Sequence, residues 1–132
     1  MKIIDKVAWI PLEGGCILST RSRGKDTYYL PGGKREPGES DEECLRREIS
    51  EELAVTLKPG TLRAVGVFEA QAHGHPPGTI IRMSCYAADY EGRLAASAEI
   101  DEFTWLSYAD RARTAPVDRI IFDCLHERGE LS

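Results

Sequence analysis

Apolar and polar positions along the chain predict two helices set among several short strands. Apolar runs at residues 7–12 and 16–19 flank Gly14-Gly15, a pair that favours the tight turn of a hairpin, so residues 3–22 read as two antiparallel strands. Residues 21–27 are polar and read as loop. Residues 28–30 read as a short strand that ends at the backbone breaker Pro31-Gly32-Gly33. A helix follows. Ser40 can cap it, Glu43 completes a capping box, and Asp41, Glu42 and Glu43 fill the first turn, where the macrodipole favours anions. Its apolar stripe is Leu45, Ile49 and Leu53. Residues 62–68 and 79–88 read as strands joined by the loop 71–78, with turns at Lys58-Pro59-Gly60 and Glu91-Gly92. Residues 103–106 read as a short strand and 108–113 as a helical turn. Residues 114–128 form a second helix with the stripe Val117, Ile120, Ile121, Cys124 and Leu125, Pro116 near its start and Gly129 past its end. Strands on both sides of a helix, closed by another helix, predict an α/β fold with helices packed on a mixed sheet, in one domain over residues 1–132.

Composition narrows the function classes. A net charge of −5 with no basic stripe argues against a nucleic-acid polymer as partner. No apolar run approaches the roughly 18 residues of a membrane span, and Asp5 and Lys6 interrupt the N-terminal apolar stretch, so a cytoplasmic protein without membrane contact is expected. The four cysteines, Cys16, Cys44, Cys85 and Cys124, are scattered, which points to buried thiols rather than zinc ligands or disulfides. Trp9 and Trp105 are expected in the core. Two small cationic clusters, Arg21/Arg23/Lys25 and Lys34/Arg35, lie in loop-like sequence and suit a phosphate-bearing small molecule.

The first helix ends in an unusual way. On a helical wheel, Leu45, Ile49 and Leu53 make one apolar stripe. Glu52 and then Glu48 border that stripe on one side, and Glu51 lies just beyond Glu48. The three carboxylates thus share one flank. Each such pair repels by a few tenths of a kcal/mol, and Glu51 and Glu52 oppose the macrodipole by about 0.3–1 kcal/mol each. A solvated acidic face is one account. A hard divalent cation is the other, because Mg²⁺ takes oxygen ligands and its charge would relieve the repulsion. Gly32 and Gly33 allow a tight loop whose carbonyls can reach the same ion. Arg47 is spaced to hold Glu39 or Glu51 by charge-assisted hydrogen bonds.

At these residues the chain resembles the Nudix hydrolases, whose box is G-x5-E-x7-R-E-U-x-E-E-x-G-U with U a bulky aliphatic. Gly33, Glu39, Arg47, Glu48, Ile49, Glu51, Glu52 and Val55 match, and Ala54 stands where the family has Gly. The resemblance implies the α/β/α sandwich of that family. It implies metal ligation by Glu48, Glu51 and Glu52 with the Gly33 carbonyl, and support by Arg47 and Glu39. Mg²⁺ is the implied cofactor, with Mn²⁺ a substitute. Arg21, in "LSTR", resembles an arginine that contacts substrate phosphate in triphosphate-cleaving relatives. Glu99 or Glu102 resembles a further carboxylate of a late acidic loop, and Glu99 is favoured. Glu48, Glu52 and Glu99 are the candidates for the general base.

The family cleaves a nucleoside diphosphate linked to another group. Residues 70–72, Ala-Gln-Ala, lack the marker Pro of ADP-ribose hydrolases and the marker Tyr of dinucleoside polyphosphate hydrolases. The expected reaction is therefore MutT-like, a nucleoside triphosphate to monophosphate and pyrophosphate, with oxidised nucleotides among the candidate substrates. Tyr29, Gly32, Gly33 and Lys34 are expected beside Arg21 at the substrate, Tyr28 or Tyr29 by stacking on a base; strand packing is the competing role for both tyrosines. His73 and His75 are surface histidines or substrate contacts. Other readings stay open: an ADP-ribose or other nucleoside-diphosphate-X pyrophosphatase, a nucleotide sensor without activity, an isomerase that needs a catalytic Cys, and an acidic domain with no site. The expected partner is a small nucleotide, the assembly a monomer or homodimer.

Overall fold

The computed structural model describes residues 2–132. Its elements in chain order are β1 (Lys2–Trp9), β2 (Leu12–Glu13), β3 (Cys16–Ser22), β4 (Gly32–Gly33), α1 (Asp41–Leu53), β5 (Thr56–Leu57), β6 (Arg63–Gln71), β7 (Thr79–Ala87), β8 (Tyr90–Glu91), β9 (Ile100–Leu106), a 3₁₀ turn (Tyr108–Arg113) and α2 (Pro116–Glu127). The main sheet has the order β4-β1-β7-β6, with β1 and β7 parallel and the other pairs antiparallel. A second sheet, β2-β3-β9, is wholly antiparallel, and β5 pairs with β8. The mixed sheet expected from the sequence is present.

Strand alternation divides the interior in two. Val7, Trp9 and Leu18 point to α1, where they bury Cys44, Leu45, Ile49 and Leu53. Ala8, Ile10 and Ile17 point the other way, to Val117, Ile121, Phe122 and Leu125 of α2. Helices thus cover both sides of β1, as an α/β/α sandwich requires. Leu45, Ile49 and Leu53 are fully buried, each worth roughly 1.5–3 kcal/mol. The capping box forms as expected: Ser40 Oγ accepts from the Glu43 amide at 3.1 Å, and Glu43 Oε1 accepts from the Ser40 amide at 2.9 Å.

Several boundaries differ from the sequence reading. The Gly14-Gly15 turn is a hairpin turn, but it joins β2 to β3. The apolar run 7–12 is split at Ile10-Pro11 between two sheets, because β1 pairs with β7 instead of β3. Residues 28–30 make only isolated bridges, Tyr29 with Thr20 and Tyr28 with Thr114. The strand lies instead in the glycine pair Gly32–Gly33, held by β1. β6 runs to Gln71, β9 starts at Ile100, and α2 starts at Pro116. Ile120 of the expected stripe is 42% exposed, while Phe122 takes its place inside. Trp9 is buried and Trp105 is half-buried, as β9 lies towards the rim of the α1-side core. Among the described residues no helix is long and apolar enough to cross a membrane.

Candidate active site

Gly33 sits where α1 crosses the main sheet, and a side chain there would push the Glu48 carboxylate from its place. A Cβ there would stand 2.5 Å from the Glu48 carboxyl carbon. Gly32 has φ +149°, and a Cβ on it would overlap the Val7 carbonyl oxygen. Two glycines therefore let the β1–β4 pair close directly onto the glutamate flank of α1.

Glu52 is 5% exposed on that flank. Its Oε1 accepts from the Gly32 amide at 3.2 Å, and among the described residues it has no ion pair. Burial first, then the Glu48 charge and carboxyl contact, push its pKa up to about 9, with Glu99 adding to the rise. A buried carboxyl held against a second one is a favourable donor set for a hard cation, which would remove the cause of that shift. Glu48 and Glu52 thus fit the implied divalent cation. Glu51 does not join them here: its side chain is 56% exposed and pairs with Arg47 Nη1 at 3.7 Å. Among the described residues, no three acidic, His or Cys side chains are gathered as a ready cation cage. The Gly33 carbonyl faces α1 and accepts from the Cys44 thiol at 3.7 Å.

Arg47 is the brace expected from its spacing. Nε and Nη2 donate to the two Glu39 oxygens at 2.7 and 2.9 Å, a bidentate pair, and Nη1 donates to Glu48 Oε1 at 2.9 Å. Nη2 also reaches the Lys34 carbonyl at 3.2 Å, which ties the glycine strand to the helix. The guanidinium pulls the Glu39 pKa down to about 2, so Glu39 stays ionised at any pH near neutral.

A cavity of about 360 Å³ opens beside this flank. Of the residues named from sequence, it is lined by Tyr29, Gly32, Gly33, Lys34, Glu52 and Glu99. His73 and His75 also line it, and the His73 ring stands edge-on to Tyr29 with centroids 6.3 Å apart. Arg21 is not on the lining. Asp101 and Glu102 hold it, and Glu102 also accepts from the Tyr28 hydroxyl, so Glu102 too is withdrawn from the cavity and Glu99 is the acidic-loop residue that faces it.

The sequence reading missed Asp118. It lies in the first turn of α2, is 0% exposed and lines the cavity. Oδ2 accepts from the Leu30 amide at 2.7 Å, and Oδ1 has no hydrogen-bond partner among the described residues. Burial raises its pKa to about 7, with the Leu30 and Asp118 amides and then the Lys6 charge opposing. A buried carboxyl oxygen without a partner is costly unless a ligand uses it. Cys44 and Cys85 are packed in the two cores, and burial pushes their thiols up to about 11 and about 12. Neither lines the cavity, and the isomerase reading loses its thiol nucleophile.

Residues 5–123 match the NUDIX domain. The chain belongs to the Nudix family. Proteins of this family are pyrophosphohydrolases that act on phosphorus-containing anhydrides, and they generally use divalent metals. Among curated Nudix relatives, 8-oxo-dGDP phosphatase NUDT18 of Mus musculus is 44% identical over 49 residues, which is 37% of this chain and 15% of that protein. This chain therefore spans only a small part of that relative. CTP pyrophosphohydrolase of Escherichia coli strain K12 is 32% identical over 112 residues, 81% of this chain and 78% of that protein. The solution structure of the E. coli ORF135 protein superposes with a TM-score of 0.76 at 28% identity, covering 96% of this chain and 91% of that one. The Nudix fold expected from the box is the fold observed.

Proposed function

We propose that this Nudix enzyme cleaves a nucleoside triphosphate to the monophosphate and pyrophosphate, with Mg²⁺ as its cation. The observation that carries this reading is one cavity whose lining holds two kinds of acid beside several cations. Glu52 and Glu99 lie close enough to feel each other's charge, while Asp118 offers a free Oδ1, and Lys6, Lys25 and Lys34 share the lining. The volume of about 360 Å³ suits a nucleoside-sized ligand. The name of the E. coli relative, a CTP pyrophosphohydrolase, supports the same class.

Each residue then has a task. Glu48 and Glu52 would hold the cation, and Arg47 with Glu39 keeps Glu48 in place. When bound there, such a cation would supply charge neutralisation of the anhydride and activation of the attacking water. Glu99 makes no ion pair or side-chain hydrogen bond among the described residues and faces the cavity, so it is free to accept a proton. The lysines meet phosphate charge. Asp118, when ionised, accepts from an exocyclic amine of the base, as a carboxylate does from cytosine N4. Tyr29 offers a ring for the base to stack on.

The test is pyrophosphate release from canonical and oxidised nucleoside triphosphates with Mg²⁺ or Mn²⁺, beside ADP-ribose and dinucleoside polyphosphates read through a phosphatase. Turnover of one triphosphate class is expected. Glu52→Gln should lower kcat by roughly 10²–10⁴-fold while the protein stays folded. Metal-dependent cleavage of ADP-ribose alone would overturn the substrate class. Nucleotide binding without any cleavage would make the chain a sensor.

A further inference from the structure

Arg21 carries more bonds than a waiting phosphate ligand should. It lies on β3 at a register shift between Arg21 and Ser22. Its Nε donates to Glu102 Oε1 at 2.9 Å and its Nη2 to Asp101 Oδ2 at 2.8 Å, so two carboxylates already meet its single charge. Its remaining nitrogen, Nη1, donates to the backbone carbonyl of Lys25 at 3.0 Å. To reach a phosphate, Arg21 would have to give up two charge-assisted bonds, the stronger kind of hydrogen bond.

Lys25 has the opposite character. It lines the cavity, where Arg21 does not, and no ion pair involves it among the described residues. Its turn is fixed on three sides. The Lys25 amide donates to the Ser22 carbonyl at 3.0 Å, the Arg23 amide donates to the Glu99 carbonyl at 2.9 Å, and the Arg21 guanidinium closes the third side. The bond from Arg23 joins the turn to the segment that brings Glu99 to the same cavity. A mobile ammonium would lose side-chain entropy on gripping an anion; a braced turn confines the backbone of that ammonium beforehand.

We propose that Lys25 is the residue that grips the polyphosphate of the substrate, and that Arg21 acts as its positioning residue without touching the substrate. This rests on the nucleoside-triphosphate reading above. It assigns to Arg21 an indirect part in place of the direct contact that the family resemblance implies.

A double-mutant cycle tests it. Lys25→Met, Arg21→Gln and the double variant are compared with wild type for binding a non-hydrolysable triphosphate analogue in Mg²⁺ by calorimetry, and for kcat and KM on the hydrolysed substrate. Lys25→Met should weaken triphosphate binding roughly tenfold, diphosphate less and monophosphate least, as expected for one lost charge-assisted contact. KM should rise more than kcat falls. Lys25→Arg should restore most of the affinity. Arg21→Gln should weaken binding in the wild-type background and add little to Lys25→Met, since its effect passes through Lys25. Multiplying losses in the double variant would mean that Arg21 contacts substrate itself, and would overturn the proposal. So would wild-type affinity in Lys25→Met. If wild type binds no triphosphate at all, the substrate reading falls first and this assignment with it; if wild type binds and only the cycle disagrees, the substrate reading stands.

Discussion

Ala54 shows how much one residue can reveal. It closes α1 with φ +59°, the left-handed conformation that glycine adopts without cost. The sequence pattern anticipated this, since the family box has Gly here and the chain has Ala. Ala54→Gly should therefore stabilise the protein by about 0.5–1 kcal/mol, read as a rise in the urea midpoint at unchanged m-value. A fall would mean that the Ala54 methyl contributes packing that outweighs its backbone strain. The capping box and the Arg47–Glu39 pair were legible for the same reason as Ala54: spacing along one stretch of chain determines who meets whom. Asp118 was not legible. Its burial and its bond to the Leu30 amide come from chain segments 88 positions apart, and no local pattern marks them. Arg21 was misplaced for the related reason that its acidic partners sit on β9, far along the chain.

Elements were legible where periodicity speaks and obscure where partners decide. Both helices stood out from their stripes. β4 could not, because two glycines have no strand propensity and the pairing is imposed by β1. The loop after β6 is a case where a side chain supplies what the backbone lacks. Gln71 Nε2 donates to the carbonyls of Pro76, His75 and Ala72 at 2.9, 3.3 and 3.4 Å, and Oε1 accepts from the Gly78 amide at 3.1 Å. One amide thus spans a loop rich in Gly and Pro that also carries His73, whose ring stands edge-on to Tyr29. Gln71→Ala should raise the hydrogen-exchange rate of the Gly78 amide by roughly fivefold, for the loss of about 1 kcal/mol of hydrogen bonding, and leave α1 amides unchanged. Equal loosening of α1 would show that the loop is coupled to the helix.

At the scale of the whole molecule, Asp118 links the cavity to folding stability. Its pKa is about 7 in the folded state against 3.8 for an ordinary aspartate, so the folded state binds the extra proton between those values. A carboxylate whose pKa is raised on folding makes the protein lose stability as pH climbs through that window. The advantage of Asp118→Asn over wild type in denaturant midpoint should therefore grow from pH 4 to pH 8, by up to a few kcal/mol. A constant difference across that range would mean that Asp118 has an ordinary pKa and that its free oxygen is satisfied. The same substitution should lower kcat/KM for the cognate nucleotide by roughly 10–100-fold, the worth of one base-edge contact.

β1 carries these two concerns on opposite faces. Its odd positions, Val7 and Trp9, pack under the helix that bears the glutamates, with Val7 also touching the cavity wall, and its even positions, Ile4, Lys6 and Ala8, look onto the cavity or the α2 side. Because side chains alternate along a strand, a change at an even letter alters the cavity wall while the odd letters keep the glutamate helix seated on the sheet. The cavity wall and the seating of the helix are, along these few residues, largely a matter of parity.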